Sequence, residues 1–281
     1  MKTNENRYII ATPNFYSLVS SGQPLYDNWK SIHVRIVQVC DQIWNEVKPV
    51  LCIDSPEGHT DDPIEELGVG PKDILSYSWR ALRESRYVCF LSLYAVTDCP
   101  SLLLHATLAN KAYGPEGESG LSVDHFEKIG TLSFIQLAEL RHRGAFSTVS
   151  QTFATCCQRC GQSSIEEISA LPGRWYQEAK KIIFESASKL TRRSAGLPAL
   201  VVGILSSKPG GPLFQSVIKD LHEISHLPAE HDPSRQDVPL PQVHAMNCLK
   251  DIFTNTKLGP HTEPFIMPAL RLSAERLGSP M

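Results

Sequence analysis

Apolar side chains in this chain recur every three or four residues, in runs of 12 to 20, and each run ends at a short polar break. That spacing places them on one face of an α-helix. Alternation with a period of two, the mark of a half-buried strand, is absent, and so are Asn-Gly and Asp-Gly hairpin turns. The spacing therefore predicts an all-α fold. Runs of this length joined by short links suggest stacked helical hairpins, an armadillo- or HEAT-like superhelix, although no self-similar period is visible.

Individual helices can be placed. Ile32, Ile36, Val39 and Ile43 predict a helix over about Asp27–Val47, stopped by Pro49. Asp73 is placed to cap a second helix reaching Tyr94, with Ile74, Tyr77, Leu82, Val88 and Leu91 on its apolar side. A short helix over Leu102–Lys111 follows. Phe126, Ile129, Leu132, Phe134 and Leu137 face inward on a helix over Ser122–Arg143, with Gly144 as its C-cap. Further helices are expected over Phe146–Cys160, Arg174–Thr191, Leu200–Ser206 and Leu213–His226. Another carries Val243, Met246, Leu249, Ile252 and Phe253 and ends at Gly259-Pro260, and Thr262 is placed to cap a last one through Leu277. The whole of residues 1–281 reads as one helical-repeat region, with loops at about 53–72, 113–121 and 227–241. The first loop is acidic (SPEGHTDDPIEELGVGPK), which a solvated surface segment explains without a metal.

Composition narrows the function classes. A formal net charge of -3 gives no global field toward nucleic acid, so any RNA contact must come from a local basic patch or a partner. The N-terminus has no long apolar core and no cleavage site, and the apolar stretch Leu197–Leu205 is too short to span a bilayer. No membrane insertion and a cytoplasmic location are expected. In a reducing compartment the eight cysteines act mostly as buried thiols. Cys157-x-x-Cys160 is half a zinc pattern, with no second pair at ligand spacing nearby.

His222-Glu223-Ile224-Ser225-His226 is a literal H-E-x-x-H. In zinc peptidases such histidines share one helix face, and the glutamate activates the metal-bound water. A third ligand does not follow at the expected spacing; His231 and Asp232 are the residues available. The alternative is a helix that turns Val217, Leu221 and Ile224 to the core and both histidines to solvent. Nothing in the sequence signals a nucleotide, a methyl donor or any other cofactor, since Walker A, G-x-G-x-x-G and G-x-S-x-G patterns are all missing.

Two basic motifs stand beside glycines: Arg141-His142-Arg143-Gly144 and Arg192-Arg193-Ser194-Ala195-Gly196-Leu197-Pro198. One reading is structural. Arginines near a helix C-terminus cap its carbonyls, and Gly196 and Pro198 turn the chain and start the next helix. The other is that loop-end guanidinium groups line one edge of the stack and hold phosphates.

At these residues the sequence resembles a known family. RRSAGLP (Arg192–Pro198) and the preceding Lys189-Leu190-Thr191, VHAMNCLKDIFTNTKLG (Val243–Gly259), RHRGAF (Arg141–Phe146) and SYSWRALRES (Ser76–Ser85) are similar, in order, to the THADA family. The resemblance covers roughly Trp79 to the C-terminus. It implies an armadillo-like protein several times longer, of which this chain is a fragment. It implies a non-catalytic subunit, not an enzyme, for tRNA ribose 2′-O-methylation at the first ribose of the anticodon loop. The partners implied are a separate tRNA 2′-O-methyltransferase catalytic subunit and tRNA. Arg192, Arg193, Ser194, Gly196 and Pro198 become the foremost binding cluster, with Arg141, His142 and Arg143 second. His222, Glu223 and His226 match no family motif. The alternatives are a zinc metallopeptidase and a generic helical-repeat adapter between proteins.

Overall fold

The computed structural model describes residues 24–53, 70–84, 123–185, 196–228 and 241–277. Within them the chain is helical, without a strand. The helices are α1 (Pro24–Leu51), α2 (Pro71–Glu84), α3 (Val123–Glu139), α4 (Arg143–Gln162), α5 (Glu166–Ser169), α6 (Leu171–Glu185), α7 (Leu197–Leu205), α8 (Pro212–Ser225), α9 (Pro241–Thr254) and α10 (Ile266–Leu277). Two 3-10 turns, Gly259–His261 and Glu263–Phe265, lead into α10.

Neighbours in sequence are neighbours in space. α1 packs on α2, α3 on α4 and α8 on α9, while α7 lies between α4 and α9 and also touches α6. These packed helix pairs are the arrangement of a helical-repeat stack. One hydrophobic core runs from Val37 on α1 to Leu272 on α10. Phe126, Ile129, Leu132, Phe134 and Leu137 are all buried, as their spacing on α3 predicts.

Several boundaries differ from expectation. α1 passes through Pro49 to Leu51. Near a helix end a proline forfeits one amide bond, and the fully buried Leu51 anchors the last turn. The buried row on α1 is Val37, Cys40, Trp44, Val47 and Leu51, one step round from Val39 and Ile43, which are only half-buried. α2 starts at Pro71, two residues before Asp73, because proline suits the first turn. Tyr77 points to solvent instead of the core, as does Val243 on α9. Thr262 stands at the N-cap of the 3-10 turn Glu263–Phe265 and not of α10, and it makes no side-chain cap bond; its hydroxyl donates to the Gly259 carbonyl oxygen at 2.7 Å. α9 ends at Thr254, where the Asn255 carboxamide takes up the backbone amides of Lys257 and Leu258. The expected helix over Leu102–Lys111, the second half of the Asp73–Tyr94 helix and the loop at 113–121 lie outside the described residues, as do residues 54–69 and 229–240.

A candidate nucleic-acid and partner interface at the α3–α4 corner

The α3–α4 link is three residues long: Leu140, Arg141 and His142. α3 stops at Glu139 and leaves its last carbonyls without amide partners. Arg141 answers locally. Its Nη1 donates to the carbonyl oxygens of Ala138, Glu139 and Leu140 at 3.2, 3.1 and 3.2 Å. Its backbone N–H donates to Leu51 O at 3.0 Å, tying the end of α1 to the same place. The Lys48 ammonium pairs with Glu139 at 2.7 Å, and that hydrogen bond holds the ammonium pKa above its ordinary value.

His142 is the N-cap of α4. Its backbone is extended, and its Nδ1 accepts the Ala145 amide at 3.2 Å, so this nitrogen carries no proton. Gly144, expected to end α3, sits instead in the first turn of α4. A Cβ there would come within 3.0 Å of Trp79 Nε1. Trp79, from α2, places its ring 6.0 Å from the His142 imidazole, and the Arg83 guanidinium lies 5.3 Å above the indole. The indole Nε1 is buried with no hydrogen-bond acceptor among the described residues.

Gly196 is the N-cap of α7 and is buried. A Cβ on Gly196 would meet Leu137 O at 1.8 Å, so only glycine lets this backbone touch the last turn of α3. Pro198 is buried in the first turn of α7. The stretches around Trp79, Arg141 and Gly196, far apart in sequence, therefore meet at the C-terminal end of α3. Arg192, Arg193 and Ser194 immediately precede this point in the sequence and lie outside the described residues, as does the side chain of Arg143. Trp79 and Arg83 escaped the sequence reading as site residues. The signal was present, because a tryptophan four residues before an arginine shares its helix face.

The H-E-x-x-H stretch occupies the end of α8. Val217, Leu221 and Ile224 are buried, and the two histidines lie on the outer side. Both imidazoles face protein acceptors. His226 Nδ1 is 2.9 Å from the His222 carbonyl oxygen, and its Nε2 is 3.5 Å from Glu275. His222 Nε2 is 3.4 Å from Pro268 O. Arg276 on α10 donates to Ser225 O at 2.6 Å and Leu227 O at 3.0 Å, and Gln242 donates to Leu227 O and Pro228 O. These contacts clasp α10 and α9 onto the end of α8. His231 and Asp232 lie outside the described residues. Among the described residues no three His, Cys, Asp or Glu side chains are grouped to hold a metal.

Cys156, Cys157 and Cys160 are fully buried in α4. The Cys156 thiol donates to Phe126 O at 3.7 Å; a hydrogen bond with Cys160 and burial push its pKa well up, and burial does the same for Cys157. Held neutral, Cys156 and Cys157 are core groups and not thiolate ligands. A polar link that the sequence did not signal joins α6 to α8. Asp220 accepts from Lys180 at 2.8 Å and from the Tyr176 hydroxyl at 3.2 Å, and burial followed by the Asp220 charge pushes the phenol pKa up. No described helix is long and apolar enough to cross a membrane.

Comparison with known proteins agrees with these features. Residues 31–281 match the THADA/TRM732, DUF2428 family. The chain is 33% identical over 258 residues to the tRNA (32-2′-O)-methyltransferase regulator trm732 of Schizosaccharomyces pombe, covering 89% of this chain and 16% of that protein. It is 28% identical over 266 residues to the tRNA (32-2′-O)-methyltransferase regulator THADA of Mus musculus, covering 92% and 13%. For the human protein of the same name the figures are 30% over 175 residues, 59% and 9%. The relatives are thus named as regulators, and the chain spans a sixth or less of their length. No solved structure matches. With the match running over most of its length, the chain belongs to the THADA/TRM732 family.

Proposed function

We propose that this chain is a non-catalytic scaffold for tRNA ribose 2′-O-methylation in the anticodon loop, holding a separate methyltransferase, tRNA or both. The observation that carries the reading is the convergence at the end of α3. The Trp79, Arg141 and Gly196 stretches serve one joint, and Arg192, Arg193 and Ser194 stand just before Gly196 in the sequence. Arg141 is consumed by helix carbonyls, which leaves Arg192, Arg193 and Arg143 as the guanidinium groups assigned to the external ligand. Gly196 and Pro198 start α7 a few residues after Arg192 and Arg193 in the sequence. Methyl-donor binding and the chemical step belong to the partner. The cytoplasm is the expected place of action.

Capture of the tagged chain from cells tests this. Co-purification of a ribose methyltransferase together with tRNA is the expected result. Recovery of neither, with other proteins bound instead, would replace the reading with that of a protein–protein adapter.

A further inference from the structure

We propose that the outer face of α2 is a contact for single-stranded RNA, with Tyr77 stacking on an unpaired base and Arg80 holding the adjoining phosphate. The inference rests on the reading above and extends the same corner outward.

Tyr77 is 64% exposed, more than any other large hydrophobic side chain described. Its hydroxyl and ring have no described partner. Arg80 follows at i+3, on the neighbouring part of the helix surface, and is exposed. It pairs with no carboxylate among the described residues. Arg83 continues the row toward the corner, where the indole of Trp79 fixes its guanidinium. Lys72, five residues before Tyr77 and further round the helix, is a second exposed cation on α2. The carboxylate described on this face, Asp73, stands in the first turn, where the helix dipole accommodates it.

An aromatic ring next to a guanidinium, both without a partner among the described residues, is the chemistry that holds single strands: the ring takes a base and the cation its phosphate. Duplex RNA offers no splayed base for that ring. A protein partner is the weaker fit, because the centre of a protein interface is apolar, whereas the exposed neighbours of Tyr77 are Asp73 and Arg80. The apolar group that would suit a protein helix, Ile266, Met267 and Leu270, lies on α10 instead.

The test is fluorescence anisotropy on the full chain, with two RNA probes: a hairpin with an unpaired loop and a fully paired duplex. The chain should prefer the looped hairpin. Tyr77→Ala and Arg80→Ala should each weaken that binding about tenfold, with Tyr77→Phe near the unchanged protein, since stacking needs the ring and not the hydroxyl. Arg80→Ala should also lower the salt dependence of binding by about one phosphate contact. Both residues are exposed, so circular dichroism should not change. Equal affinity for the duplex, no binding of either RNA, or hairpin binding indifferent to Tyr77→Ala would overturn the proposal. Loss of methyltransferase capture by Tyr77→Ala with RNA binding intact would make this face a protein interface. In each of those cases the scaffold reading stands if the unchanged chain still captures the methyltransferase, and falls with capture of neither partner.

Discussion

The ends of α3 and α8 face the same problem and solve it differently. Each leaves carbonyls unpaired at a helix C-terminus, each has a histidine at the junction, and each recruits an arginine. At α3 the arginine is Arg141, two residues past the helix end, so the cap is local. At α8 it is Arg276, roughly fifty positions onward, so the cap is a contact between helices. His142 starts a new helix, whereas His226 faces Glu275 of α10 at 3.5 Å. A local cap frees the surrounding surface for other work. A long-range cap spends its residues on holding the stack together. The motif that looked catalytic, H-E-x-x-H, is of the second kind, and Arg141 of the first basic motif is of the first.

Substitutions can break this contrast. Gly196→Ala should have the largest effect, about 3 kcal/mol in denaturant unfolding, because its methyl group would overlap Leu137 O. A cost well under 1 kcal/mol would mean that α7 does not press on α3. Arg276→Ala should cost about 2 kcal/mol, the upper range for hydrogen bonds to a charged group. The loss should be confined to α10, seen as about thirtyfold faster amide exchange there with α8 and α9 unchanged. Arg141→Ala should cost about 1 kcal/mol of global stability and leave exchange in distant helices alone, as befits a cap whose carbonyls can turn to water. His226→Gln should be the mildest, below about 0.5 kcal/mol, because the pair with Glu275 is exposed. If Arg141→Ala loosened α10, or Arg276→Ala loosened α3, the two corners would be coupled and the contrast would fail.

Helical class and core were legible because they depend on local spacing, as the buried row from Phe126 to Leu137 shows. The same spacing misassigned Tyr77 and Val243, since an apolar stripe wider than the contact leaves its edge in water. The end of α3 was misplaced by several residues. Gly144 looked like a C-cap, yet a side-chain cap from His142 and a close approach by Trp79 decide the boundary, and both are tertiary. Of the site, the basic residues were legible as chemistry. The joint at the end of α3 was not, because nothing in the spacing tells that Gly196 touches Leu137 or that Trp79 faces His142.

The account stands on paired guanidinium groups serving a ligand outside the chain. Its most direct test is the double variant Arg192→Ala/Arg193→Ala, compared with the unchanged protein for unfolding midpoint and for retention of tRNA and methyltransferase. The predicted result is an unchanged midpoint with binding reduced at least tenfold, the scale of one lost charged contact. A variant that unfolds, or one that folds and binds as before, would contradict it.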